Sequence, residues 1–220
     1  MPIAPIEEGL EEIRKGRMVI LVNEELPESD GFFCMPAEKI TAESINHMLH
    51  YGRGVIYLAL TDERIRELGV LLIPPENSSF AGLFFGAAFS VRLEGVHGIS
   101  AQGRAHTIQA AVADETKHED LIVPGHVQPL QARSGGVLAR LGRAEASVDL
   151  ARLGGFKPAG VICQILEDDG SVAKLSSLEK LAERQGLKIL SVANLIGYRL
   201  RTERLVKPVV EEVFPTIHGG

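Results

Sequence analysis

Asn23, Glu24, Glu25, Glu28 and Asp30 fall within eight positions, directly after the apolar run of residues 18–22. Carboxylate oxygens at that density suit a hard divalent cation, although a solvated acidic loop has the same composition. Pro27 interrupts the segment and Phe32 and Phe33 close it, where a metal loop would carry further ligands. His126 follows the Pro124–Gly125 pair and could act as a general base, or be a structural or merely exposed turn residue. Arg140 and Arg143 flank Gly142 ahead of a helical pattern. Guanidinium groups and helix N-terminal amides both suit a phosphate, and two surface arginines would read the same way. Gly103, Arg104, His106 and Thr107 open another helical pattern and form a weaker anion candidate. EDDG, 167–170, reads as a turn.

Hydrophobic periodicity supplies the elements that must position these groups. Residues 6–15 carry apolar side chains at 6, 10 and 13, a short amphipathic helix. Residues 18–22 and 54–60 read as buried strands. Thr41 caps a helix running to Tyr51, and Thr61 caps a short one with Asp62 and Glu63 in its first turn. Residues 74–86 read as a long loop of the kind that often carries function, and 87–93 as a strand. A glycine-rich stretch then enters a helix around 97–114, and 122–132 is extended despite two prolines. Residues 135–155 contain a loop and a helix, 157–166 a strand. Ser176 and Glu179 form a capping-box pattern for the next helix. The strand 187–192 leads to a last helix over about 194–206. Strands and helices alternate without a fixed repeat, so the expectation is one α+β domain over 1–206. Residues 207–220 carry no amphipathic face and read as a linker with the start of something else.

Composition narrows the function classes. With 45% hydrophobic and 24% charged residues, the 220-residue chain has an ordinary globular balance. No apolar run reaches the ~18 residues that span a bilayer, and the first residues lack a basic-then-apolar signal pattern. Cys34 and Cys163 are far apart and in no metal-ligand spacing, which fits buried thiols in a reducing cytoplasm. A net charge of −6, dispersed cations and 5% aromatics argue against a nucleic-acid partner.

Taken in order, the acidic loop leading into MPAEKIT, then GISAQGRAHTIQAA, PGHVQPLQARSGGVL, EASVDLARLGGFKPAGVIC and EDDG resemble the 3,4-dihydroxy-2-butanone 4-phosphate synthases of riboflavin biosynthesis. The resemblance implies a single α+β domain with a mixed sheet, working as a homodimer with active sites at the interface. It implies a Mg2+-dependent carbon–carbon lyase that converts D-ribulose 5-phosphate to dihydroxybutanone phosphate and formate. The tail EEVFPTIHGG resembles the opening of the GTP cyclohydrolase II half of bifunctional proteins, which implies that domain as a partner in the same or a separate chain.

Matched residue by residue, the acidic loop departs from the family pattern. Asn23 and Glu24 stand at two aspartates, while Glu25 and Gly31 match. Glu28 matches a metal-binding glutamate. Pro27 replaces a substrate-contacting arginine, Ser29 and Asp30 an asparagine and a glutamate, and Phe32 an aspartate that contacts the sugar. Downstream, His126 matches the catalytic histidine and Arg140 a phosphate-side arginine. Arg143 stands at the second metal-ligating position, a histidine in the family. Ala144 replaces a substrate-binding threonine, and Gln164 a catalytic glutamate. Gly103 replaces an aspartate, with Arg104 and Thr107 retained. Tyr57 and Ala59 stand where many members have cysteines. A guanidinium in place of an imidazole repels a cation: each unit charge at ~4 Å and an effective dielectric near 20 is worth about 4 kcal/mol. An amide at 164 cannot transfer a proton, a loss of ~10²–10⁴ in rate. The expectation is a scaffold whose metal site is weak or closed, Arg143 pairing with Glu28, beside a cyclohydrolase II domain. The alternative is residual synthase activity, or metal-independent chemistry on another phosphorylated small molecule using His126, Arg140, Arg104 and Glu28.

Overall fold

The protein is described by a computed structural model covering residues 3–23, 30–74 and 84–204. Eight strands form a mixed sheet: β1 (Val19–Val22), β2 (Gly31–Pro36), β3 (Arg53–Thr61), β4 (Phe84–Phe85), β5 (Phe89–Val91), β6 (Leu121–Ala132), β7 (Ala159–Ile165) and β8 (Ile189–Ser191). Their order is β4-β6-β3-β7-β2-β1-β8, and β5 pairs with β6 off this path. β1 runs parallel to β8 and β3 to β6; β7 is antiparallel to both β2 and β3.

All four residues of β1 and all six of β2 are buried, because the sheet is covered on both faces. Successive side chains alternate between faces: Val19 and Leu21 enter one apolar cluster, Ile20 and Val22 the other. The first cluster lies under α1 (Ile6–Arg14), α5 (Arg143–Leu153) and α7 (Val192–Thr202). The second lies under α2 (Ala42–His47), α3 (Asp62–Glu67), α4 (Ala101–Val112) and α6 (Leu175–Gln185). The result is a three-layer α+β domain.

Both threonine caps form, with Thr41 and Thr61 accepting from the amides of Ser44 and Arg64. Four local expectations differ. The α2 pattern ends at His47 and continues as a π-helical turn, Met48–Gly52. Residues 31–36, read as the loop's run into MPAEKIT, form the fully buried β2; an unbroken apolar hexapeptide after an acidic segment has no period that reveals a strand. Phe84 and Phe85, read as loop, make β4 against β6. Ser176 lies inside α6, whose N-cap is Lys174, so the capping box does not form. The other calls on residues 24–29, 75–83 and 205–220 lie outside the described residues.

Candidate functional site

The site is built where α5 begins above the ends of β2 and β7. Phe32 and Gln164 are direct register partners across these strands. Phe32 shares its sheet face with Cys34, and Gln164 with Ile162, both in the cluster beneath α5. Tyr57 of the neighbouring β3 packs against the same cluster. Ala144, fully buried, also belongs to it, so the start of α5 is seated on this face.

Arg143 is the first residue of α5. Its Nη1 donates to Asp30 Oδ2 at 2.9 Å, and its guanidinium lies 4.4 Å from the centre of the Phe32 ring. Both partners of the ion pair are sheltered, with side-chain exposures of 27% and 15%. Burial raises the Tyr57 phenol above its ordinary pKa, and the Arg143 charge pulls it partly back. Arg143, Asp30, Phe32, Gln164 and Tyr57 therefore share one corner. Among the described residues, the anion that Arg143 meets is Asp30. Glu28, expected as its partner, lies outside the described residues, as does Pro27.

Arg140 stands behind this corner, its Nη1 3.8 Å from Oε1 of the fully buried Glu145. Glu145 Oε1 also accepts the Arg133 amide at 2.9 Å. A Cβ at position 142 would lie 2.0 Å from Glu145 Oε2, which explains the glycine there. Burial lowers the Arg140 pKa; Glu145 opposes that shift, and the charges of Arg133 and Arg143 add to it. Glu145 thus fixes the loop that carries Arg140, a role that sequence reasoning did not assign. Its signal was a carboxylate in the first turn of α5.

The remaining candidates lie elsewhere. Arg104 and Thr107 are on α4, against the opposite face of the sheet. Thr107 is fully buried; its hydroxyl donates to the Gly103 carbonyl at 2.9 Å and accepts the Val91 amide at 3.1 Å, bolting β5 to α4. Arg104 has a buried Nε without a hydrogen-bond partner among the described residues and acts electrostatically on Cys163. His126 is on β6 beside β5. Ser90 Oγ accepts its backbone N–H at 3.1 Å and lies 3.2 Å from Nδ1. A hydroxyl that donates to Nδ1 leaves the ring proton on Nε2. Ser90 was not foreseen, since a serine within a strand carries no chemical signal. Among the described residues no hydrogen bond or ion pair joins His126 to Arg143.

Among the described residues, the Arg143 charge opposes a divalent ion at Asp30. Bound at ~2.1 Å from an Asp30 oxygen, it would lie within about 5 Å of the guanidinium. At an effective dielectric near 20 the repulsion is about 6–7 kcal/mol. Among the described residues no group of three His, Cys, Asp or Glu side chains converges to hold a metal.

The sequence pattern of the 3,4-dihydroxy-2-butanone 4-phosphate synthases matches residues 7–198. The riboflavin biosynthesis protein RibBA of Aquifex aeolicus is 47% identical over 97% of the chain and 53% of its own length. A 3,4-dihydroxy-2-butanone 4-phosphate synthase of Pseudomonas syringae pv. tomato is 44% identical over 97% of the chain and 58% of its length. Among solved structures, RibBX, a two-domain 3,4-dihydroxy-2-butanone 4-phosphate synthase from A. baumannii, superposes with a TM-score of 0.87 at 41% identity. That match covers 98% of this chain and 64% of RibBX. A synthase solved in complex with two magnesium ions gives 0.84 at 27% identity, covering 90% of this chain and 98% of its own. The chain belongs to the 3,4-dihydroxy-2-butanone 4-phosphate synthase family. It spans a little over half the length of the curated relatives it matches.

Proposed function

We propose that this chain is a riboflavin-biosynthesis synthase homologue with little or no activity toward D-ribulose 5-phosphate, acting as a dimeric structural or regulatory partner of a GTP cyclohydrolase II domain. One observation carries the reading: Arg143, ion-paired to Asp30 and stacked on Phe32, occupies the corner faced by Gln164. That corner offers a guanidinium already paired with the Asp30 carboxylate, an apolar ring, an amide and the Tyr57 phenol. The family reaction needs a cation on the sugar oxygens and a carboxyl group that moves a proton. Losses within one catalytic unit do not add, so the defect belongs to the unit as a whole and is not a sum over the substituted residues.

Two features support the partner role. The candidate residues are divided between the α5 face, the α4 face and the β5–β6 edge, an arrangement that a second copy would complete at an interface. Relatives named RibBA are matched over 53% of their own length, and the tail resembles the cyclohydrolase II opening. A chain carrying Pro27→Arg, Phe32→Asp, Arg143→His, Ala144→Thr and Gln164→Glu should release formate from D-ribulose 5-phosphate with Mg2+. A well-folded revertant that stays silent would contradict the idea that these positions removed the chemistry. For the partner role, the chain mixed with a cyclohydrolase II protein should co-sediment with it; two independent species would contradict it.

A second reading, chemistry on another phosphorylated small molecule, is favoured by Ser90 Oγ lying 3.2 Å from His126 Nδ1, a contact that orients the imidazole. Under it, His126→Ala would abolish a turnover that added Mg2+ does not change.

A further inference from the structure

We infer that Arg143 is the resident cation of this pocket, a tethered guanidinium that holds Asp30 and the Phe32 ring and keeps a divalent ion from the place beside them. The inference rests on the reading above and deepens it: the pocket's positive centre is part of the chain and not an exchangeable ligand.

Three observations carry it. The backbone of Arg143 cannot drift, because the residues that follow it, 144–151, are all buried in α5. Its charge is engaged by the Asp30 carboxylate at 2.9 Å and by the Phe32 ring at 4.4 Å. The corner also discriminates by chemistry. A guanidinium is satisfied by one carboxylate and a ring face, whereas Mg2+ demands near-octahedral oxygen ligands. Phe32 presents none, and its strand partner Gln164 presents only a neutral amide.

Mn2+ provides the test, since it takes the same oxygen ligands as Mg2+ and its free form is read directly by electron paramagnetic resonance. The unmodified protein should leave the free-Mn2+ signal undiminished. Arg143→His, which removes the charge and adds an imidazole, should deplete it, with affinity tightened ~10-fold or more. If Arg143→His does not fold, Arg143→Gln takes its place with the same two outcomes. Equal binding by unmodified protein and variant would overturn the inference, and so would no gain in the variant. Mn2+ binding by the unmodified protein without formate release would overturn this inference alone and leave the loss of synthase activity standing. Formate release would overturn the latter by itself.

Discussion

Arg143 stands at the first position of α5, the positive end of the helix, where a second positive charge is disfavoured. The N-cap, Gly142, offers no side chain to the exposed amides. Asp30, reaching across from the head of β2, compensates the guanidinium. Asp30→Asn should lower stability by about 1.5–3 kcal/mol, the range for a hydrogen bond to a charged group. In an Arg143→Ala background the same change should do much less. A double-mutant cycle read by urea unfolding measures the coupling, and strict additivity would contradict the pairing. The two thiols make a second residue-scale prediction. Burial pushes Cys163 up to about 12 and Cys34 higher still, so neither presents a thiolate. Iodoacetamide should label both only after denaturation; rapid labelling of the native protein would show that one of them is open.

At the scale of elements, the PGHV segment is explained by a close approach of two strands. A Cβ at Gly125 would lie 2.0 Å from the Phe89 carbonyl carbon and 2.1 Å from the Ser90 nitrogen. Gly125→Ala must therefore push β5 off β6 and take Ser90 away from His126. The expected loss is several kcal/mol, in the upper range for single substitutions, and a melting temperature within a few degrees of the parent would contradict it. Thr61→Ala should cost about 1 kcal/mol through the lost cap on α3. Much of this level was legible in the sequence. The threonine caps, the strand over 54–60 and the extended prolines of β6 all follow from local chemistry. β2 was not, because all six of its residues are buried, with Phe33 and Met35 in one apolar cluster and Cys34 in the other, and it shows no polar face. Nor was the failed cap at Ser176, since Ser176 and Glu179 have the right spacing but the N-cap of α6 lies two residues earlier, at Lys174. The site was legible in its residue types and not in its pairings. Arg143 and Gln164 stood out by position, while Asp30 and Ser90 gain their roles from contacts between segments far apart in the chain and Glu145 from the folding of residues 133–142 back onto α5.

At the scale of the molecule, α7 is clamped to the rest of the domain by charge. Arg199 donates to Asp149 at 2.7 Å, to the Gly135 carbonyl at 2.7 Å and to Glu203, which also receives Arg152 at 2.6 Å. Asp149 in turn accepts the Val137 amide at 2.8 Å, so the clamp secures the glycine turn that leads to Arg140. The hydrogen bond from Arg199, with help from Arg152, lowers Glu203 from 4.5 to about 2. A depressed carboxyl pKa contributes stability that is full above the unfolded value and is lost as pH falls through the folded one. Glu203→Gln should thus be less stable than the parent near neutrality, and the difference should close between about pH 4.5 and about 2. A gap in melting temperature that is unchanged across that window would contradict the clamp.

The central claim is that a synthase scaffold has had its chemistry removed, and formate release from D-ribulose 5-phosphate by the unmodified protein in excess Mg2+ tests it most directly. The account predicts no formate above the protein-free control. Formate at an enzyme-like rate, on the order of 1 s⁻¹ or faster, would contradict it and make the family reaction the function of this chain.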